Sequence, residues 1–534
     1  MPEPFPPAPG YQYRVVEAIL LAVAFAVAHT QSPLYFSNQN QYFLHGLAEG
    51  GLGNLSHDWL ANTIDPTPVF SKLVALGYRH LGDFVFQAAY FVMLMGYFLS
   101  LRWLVGALPG MPDTRAFRLL WAAGFIAAHA AILRVASVSL TGVDYPWFLQ
   151  SGVAGQYLLG PGLQPSAFGV FSVAGLAAFA RGRPVVAGFL VALPCAFHAT
   201  YLVPAALLLF GFILVTMKDT PNGGPASFHA LLAASAVMAP VGAYTLFTFG
   251  PENGFTFAEA QRILAEIRIP HHCVIARWFD TVTGLQLAWA LLGIALLRRS
   301  PLFLVLLIAA GIGTALTLGQ YETEDATLAL MFPWRISVLL VPVATAVIVA
   351  KLAARVSQSV AALFGIGVVL VLVAGGIWVS LSGAGYRMNE AELPTLEYVR
   401  SNAGPQDVYL LPVTFPAVGG GRGSISTSFT PPPRPKPGSN LIPVDLIRFR
   451  LNTGTAIYVD FKSVPYRDAE VLEWLRRMRQ CEDWYTGDWS APGKLQDLRR
   501  EGLTHVVAPT AKPLTAEYLE VVHADAAYIV YRLK

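Results

Sequence analysis

The sequence predicts a polytopic α-helical membrane protein that closes with a small exoplasmic α/β domain. Three observations carry this. Long apolar runs recur through residues 1–383, Lys and Arg collect in alternate connections, and the composition turns soluble over residues 384–534. The chain is 54% hydrophobic and 13% charged, whereas a soluble domain carries about 25% charged residues. Much of the surface therefore faces lipid. A net charge of +3 is too small and too scattered for a nucleic-acid partner. Cys195, Cys273 and Cys481 form neither a disulfide framework nor a CxxC metal spacing. The N-terminal MPEPFPPAPGYQYR lacks the basic character of a signal peptide, so the first apolar run is expected to stay as a helix.

A spanning helix needs roughly 20 mostly apolar residues. Such runs lie near 15–31, 83–105, 117–136, 165–180, 184–197, 199–216, 228–248, 282–297, 301–318, 327–350 and 359–380. About 11 transmembrane helices are expected, with 165–180 and 184–197 the shortest. Basic residues mark alternate connections: Arg102, Arg115 and Arg118, then Arg181 and Arg183, Lys218, Arg298 and Arg299, and Lys351 and Arg355. The connection 137–164 has none, and GQYETEDA (319–326) is acidic. The positive-inside rule then gives a multi-pass inner-membrane protein with a cytoplasmic N-terminus and a periplasmic C-terminal domain.

Three outer loops stand out, at 32–82, 137–164 and 250–281. Amphipathic stretches such as NQNQYFLHGLAEG and FAEAQRILAEIRIPHHCVIARWF suit the membrane interface. Beyond them the sequence predicts helices at PTLEYVRSN and DAEVLEWLRRM and strands at DVYLLP, AIYVDF, THVVAP and AYIVYRLK. GGGRGS (419–424) lacks the spacing of a phosphate loop, and PPPRPKP reads as a stiff linker. No internal repeat of the transporter kind is visible.

Ionisable groups against a bilayer are costly, so each is a functional candidate. Nearly all fall at the outer ends of the expected spans. Asp58, Asp65 and Asp144 are the carboxylates that suit a general base, with helix capping or a turn as the competing role. His45 and His198 lie close to the same surface, and His271 and His272 are adjacent in the third loop. Neighbours on one helix point about 100° apart, which favours hydrogen bonding over shared metal ligation. Arg335, beside Trp334 in FPWRIS, is expected about 12 Å inside the tenth span. A guanidinium there holds a phosphate or carboxylate, or pairs with an acid such as Glu324. Arg134 ends the third span, and His129 reads as a buried histidine bonded between helices.

The arrangement resembles the GT-C superfamily of polytopic membrane glycosyltransferases, in an uncharacterised bacterial branch. The resemblance is architectural over almost the whole chain. At the level of motifs it rests on NQNQYFLHGLA (38–48), DWLANTIDPTPVF (58–70), RIPHH (268–272), FPWRIS (332–337) and RLNTGTAIYVDFKSVPYRDAEVLEWLRR (450–477). It implies transfer of a sugar from a polyprenyl-phosphate donor to a glycan, lipid or protein acceptor on the exoplasmic side. It also implies an acidic base in the first loop and a basic residue at the membrane rim for the donor phosphate, here Arg335 with Arg134 behind it. Asn38-Gln39-Asn40 replaces the family's acidic pair, which leaves Asp58 or Asp65 as base. The alternative is a non-catalytic accessory or lipid-binding protein that keeps the fold. No cofactor is specified, although the carboxylates would suit Mg²⁺ or Mn²⁺.

Overall fold

The computed structural model describes residues 11–219, 223–251, 253–356, 358–384, 386, 389–413 and 444–534. GGGRGS and PPPRPKP lie outside these. Each apolar run expected to span folds as helix. Seven helices are long and apolar enough to cross a membrane: Gln12–His29, Phe84–Val105, Ala199–Lys218, Gly223–Phe249, Leu302–Thr323, Ala326–Ala353 and Ala362–Ser382. Arg115–Ala127 and Ala131–Thr141 make an eighth if their 45° bend lies within one span. Pro165–Ala180, Pro184–Phe197 and Thr281–Leu296 are shorter than a crossing asks. The 16 residues of Thr281–Leu296 rise about 24 Å, against a hydrocarbon core of roughly 30 Å. The chain is thus a multi-pass membrane protein.

The ends of the bundle differ in charge. Near the start of the first helix, Glu17 accepts from Arg118 Nε at 2.7 Å and from Arg102 Nη2 at 3.3 Å. These three residues meet although they come from different helices, and Arg115 lies 4.0 Å away. The first loop begins beyond His29 at the other end of that helix, about 18 Å from Glu17 by helical rise.

Residues 389–413 and 444–534 build a five-stranded sheet of order β2-β1-β3-β5-β4. Its strands are β1 (Val408–Leu410), β2 (Ala456–Ile457), β3 (His505–Pro509), β4 (Leu519–Ala524) and β5 (Tyr528–Leu533). β1 pairs in parallel with β2 and β3, whereas β5 runs antiparallel to β3 and β4. Alternation along β3 sends Val506 and Ala508 to one face and Val507 to the other. The first face is covered by Asp468–Thr486, through Val471, Trp474, Leu475 and Met478. Ala260, Ile263 and Leu264 of the third loop join the same core. Leu393–Asn402 covers the second face. The four expected strands are present. β4 was not expected, because LEVVHA is an edge strand with no fully buried side chain and a bulge between Val521 and His523.

The first loop is the seam between bundle and sheet. Gln41 makes two bonds to the Val464 backbone, at 3.0 and 2.6 Å. Asn54 N–H donates to the Gly454 carbonyl at 2.6 Å. Gly53 and Gly454 both have positive φ and lie so close that a Cβ on either would strike the other's backbone. Pro68–Leu81, whose first turn accommodates Pro68, then leads back to the bundle.

Candidate functional site

Three cations gather where the first and third loops meet the sheet. Arg335 belongs to the 3₁₀ turn Pro333–Ile336, which is entered through Phe332 in the left-handed region (φ 51°). The straight helix begins only at Ser337. The depth of about 12 Å assumed an unbroken helical rise, whereas within Ala326–Ala353 the helix is broken at Met331 and Phe332 before the 3₁₀ turn. Its guanidinium lies 4.8 Å from the Tyr201 ring centroid, and its buried Nε has no hydrogen-bond partner. Arg268 ends the π-helical turn Ile263–Arg268. It stacks on Phe461 at 5.3 Å, donates to the Lys462 carbonyl, and also has a buried Nε without a partner. Lys462 Nζ donates to Asn38 Oδ1 at 2.6 Å, and Asn38 Nδ2 donates to Tyr157 Oη at 3.0 Å.

Among the described residues, no carboxylate forms an ion pair with Arg268, Arg335 or Lys462. Asp460 is the acid that bears on Lys462 and Arg268. Its own oxygens are taken by Arg450 Nη1 at 2.5 Å and Ser463 N–H at 2.6 Å. Both arginines are at least nine-tenths buried. Burial, followed by the charge of Arg268, pushes the Lys462 ammonium down to about 7 against the pull of Asp460. Burial also holds Arg268 below the ordinary arginine value. Uncompensated charge of this kind is costly unless an anion meets it.

The groups around the cations are neutral and polar. His272 Nδ1 lies 2.6 Å from the Ala154 carbonyl, which can only accept, so Nδ1 carries the proton. Burial first, then Arg335, Lys462 and Arg268, lower His272 to about 4. All three cations therefore act on this one imidazole. His271 is depressed by burial, by His272, and by Arg268 and Lys462. The two rings lie 4.1 Å apart, and neither forms part of a metal-holding group of three or more His, Cys, Asp or Glu among the described residues. Tyr42 Oη meets His198 Nε2 at 3.2 Å, and Thr200 Oγ1 holds His198 Nδ1 at 3.1 Å.

The expected carboxylates have different fates. Asp58 is fully buried and takes Arg450 Nε at 2.8 Å, Ile457 N–H at 3.0 Å, and the N–H groups of Leu60 and Ala61. Asp144 accepts Nε and Nη2 of Arg134 at 2.9 and 2.7 Å, and also caps the turn Tyr145–Leu149. Arg134 stacks on Trp147 at 4.4 Å, so this pair is internal to the second loop region. Asp65 is partly exposed. Thr67 N–H holds its Oδ1 at 2.8 Å, and His45 Nδ1 lies 4.0 Å from the same oxygen. His45 Nε2 meets the Thr63 carbonyl at 3.2 Å, which leaves Nδ1 turned toward the acid. Glu470 sits alongside, taking Ile64 N–H at 3.0 Å. His45 follows Tyr42 by one turn of near-continuous helix, about 5 Å of rise. These acids build no shared set of metal ligands: Asp58 and Asp144 are tied to separate arginines.

Trp334 packs against Trp278 at 5.2 Å beneath the Arg335 turn, its Nε1 buried without a partner. His129 bonds Tyr97 Oη at 3.2 Å and the Phe125 carbonyl at 2.9 Å, bridging two helices. Cys195, Cys273 and Cys481 are free and buried. The site residues not singled out from the sequence are Arg268, Lys462, Tyr42, Tyr157, Arg450 and Asp460. Lone basic residues in otherwise apolar or aromatic stretches, IRIPHH and YVDFKSVPY, were the signal available.

The model of a domain of unknown function (DUF6798) matches residues 435–481, the segment that carries Arg450, Asp460, Lys462 and Glu470. No curated protein matches the chain. Among solved structures, the crystal structure of ArnT from Cupriavidus metallidurans bound to undecaprenyl phosphate is similar at 12% identity and a TM-score of 0.37, covering 98% of each chain. A TM-score of that size is too low to transfer fold or function.

Proposed function

We propose that the chain is a GT-C-like membrane glycosyltransferase that moves a sugar from a polyprenyl-phosphate donor to an acceptor hydroxyl on the exoplasmic side. One observation supports this above the others: Arg268, Arg335 and Lys462 all bear on His272, and among the described residues none of them forms an ion pair with a carboxylate. A lipid phosphate brings the missing charge while its tail stays along the bundle. The basic cluster around Glu17 lies at the opposite end of the first helix. By the positive-inside rule that end is cytoplasmic and the site exoplasmic.

In the proposed step the acceptor oxygen attacks the anomeric carbon as the bond from that carbon to the donor phosphate oxygen breaks. The phosphate leaves with the bonding electrons, and the three cations meet its growing charge. Asp65 takes the hydroxyl proton through its free oxygen. Thr67 N–H holds the other oxygen in place, with His45 4.0 Å from it, and general-base help of this kind is worth about 10²–10⁴-fold.

Asn38, Gln39, Asn40 and Gln41 favour a second reading, in which the protein binds the lipid without transferring sugar. The amides of Asn38, Gln39 and Gln41 tie the first loop to Lys462, Leu163 and Val464, and that of Asn40 holds the loop's own Tyr35 and Ser37 carbonyls. Sugar transfer by purified Asp65→Asn decides between the two. Loss of turnover with donor binding intact supports the transferase, and full turnover in the variant excludes Asp65 as its base.

A further inference from the structure

Resting on the donor-phosphate reading above, we infer that Tyr157 is a further ligand-binding residue, whose hydroxyl donates to a phosphoryl oxygen, and that Asn38 is the positioning residue that points it there. The direction of the hydrogen bonds leads to this. Lys462 Nζ donates to Asn38, so the amide atom it meets at 2.6 Å is Oδ1. That fixes which way the amide faces. Its Nδ2, which can only donate, is left to meet Tyr157 Oη at 3.0 Å. The phenol oxygen therefore accepts, and its own proton is spent on no acceptor among the described residues.

The groups around this hydroxyl are donors as well. Gln164 is 2% exposed, and its Nε2 has no partner. That nitrogen and the Tyr157 ring meet over Gly160, where a Cβ would lie 2.3 and 2.4 Å from them. The Gln164 amide, the Arg335 charge and the Asn38 amide all favour negative charge on the phenol oxygen. Burial outweighs them and holds the phenol above its ordinary value, so it keeps its proton. Trp147 packs edge-on against the ring at 5.3 Å, which fixes the phenol without occupying its hydroxyl. A protonated hydroxyl ringed by donors finds its acceptor outside the chain. With Arg335 acting on it and Lys462 two hydrogen bonds away, that acceptor is an anionic oxygen. Asn38 thereby does what an acid at its position could not. A carboxylate would still accept from Lys462, but with no N–H it would take the Tyr157 proton and turn the hydroxyl away from the ligand.

The test is calorimetric titration of the purified full-length protein in detergent with geranylgeranyl phosphate, with geranylgeraniol and inorganic phosphate as further arms. Tyr157→Phe keeps the ring on Trp147 and removes only the hydroxyl. It is expected to keep the wild-type melting midpoint and to bind geranylgeranyl phosphate about ten-fold more weakly, as for a lost hydrogen bond to a charged group. In Asn38→Asp, whose carboxylate already holds the phenol proton, the further change Tyr157→Phe is expected to cost less than about two-fold. Asn38→Leu, which leaves the hydroxyl undirected without adding charge, should shrink that cost as well. An undiminished ten-fold cost in these backgrounds denies Asn38 its positioning role. Wild-type affinity in Tyr157→Phe overturns the inference and leaves the donor-phosphate reading standing, whereas wild-type protein that fails to bind the lipid phosphate overturns both. An equal loss for geranylgeraniol assigns the hydroxyl to a neutral oxygen and overturns the phosphoryl assignment. Inorganic phosphate that binds as tightly as the lipid phosphate, with the same dependence on Tyr157, overturns the lipid source in favour of a soluble phosphate.

Discussion

Arg450 reaches from beside the sheet to Asp58 of the first loop, Nε to Oδ2 at 2.8 Å, and holds Asp460 with Nη1 at 2.5 Å. One guanidinium thereby bridges two acids. Asp460 starts the turn that carries Lys462, since its Oδ1 takes Ser463 N–H. Asp58 thus influences the cationic cluster only through Arg450 and Asp460, as a positioning residue. Removing one partner of a buried ion pair costs about 3–5 kcal/mol, because the other charge stays buried and unpaired. Asp58→Ala is expected to lower the thermal midpoint in detergent sharply, with Asp58→Asn intermediate. Should Asp58→Asn keep the wild-type midpoint yet transfer no sugar, Asp58 would be the base instead.

Among the described residues, Arg335 differs from Arg450 in having no acid to pair with. Its guanidinium rests on Tyr201, and the turn around it is held by packing of Trp334 and Phe332. Arg335→Ala therefore removes a buried charge without orphaning a carboxylate. The variant is expected to keep the wild-type midpoint or exceed it, while affinity for a polyprenyl-phosphate lipid falls about 10-fold or more, as for a lost charged hydrogen bond of about 1.5–3 kcal/mol. Unchanged lipid binding in the folded variant would remove the proposed role.

Lys462 supplies a pH dependence with a definite sign. Its ammonium falls from the ordinary 10.5 to about 7 in the folded chain, through burial first and Arg268 second. Between these values the unfolded chain holds more protons than the folded one, so stability rises with pH across roughly 7 to 10.5. Arg268 and Asp460 act on it, and its own charge acts on His271 and His272. His272, already neutral above about 4, adds nothing in that window. Anion affinity moves the opposite way and weakens as pH rises through 7. In Lys462→Met both trends should flatten when followed by melting and by lipid titration from pH 6 to 9; slopes identical to wild type would rule the lysine out as their source.

Much of the fold was legible because hydropathy and β-alternation are local signals. The apolar runs became helix, that at 327–350 broken at Phe332, and β1, β2, β3 and β5 fell where short β-branched or aromatic stretches predicted them. What was hidden depended on partners far apart in the chain. Asp58 and Asp144 look like Asp65 in sequence, yet each is answered by an arginine, Arg450 lying 392 residues away in the first case. The turn at Phe332 was hidden too, since nothing in LMFPWRIS requires a non-glycine residue at positive φ. The cationic cluster takes Arg335 from a helix mouth, Arg268 from the third loop and Lys462 from beside the sheet. Only their assembly shows that three charges share one place.

Arg134 and Asp144 give the last prediction, since the same charge pattern could have marked a donor-phosphate site. Their side chains are 2% and 0% exposed, and the contact is two-pronged. The guanidinium also stacks on Trp147, so the pair fixes the turn Tyr145–Leu149 against the helix Ala131–Thr141. Arg134→Met and Asp144→Asn should each destabilise the protein by about 3–5 kcal/mol as single changes. The double variant removes both charges at once and leaves neither orphaned. It should therefore lose less than the sum of the singles, with a coupling of about 0.5–3 kcal/mol. Lipid affinity of the double variant is expected to stay at the wild-type level, because neither side chain belongs to the Arg268, Arg335 and Lys462 cluster. Additive losses in the double-mutant cycle would deny the pair its structural role, and a selective loss of lipid affinity would return Arg134 to the binding site.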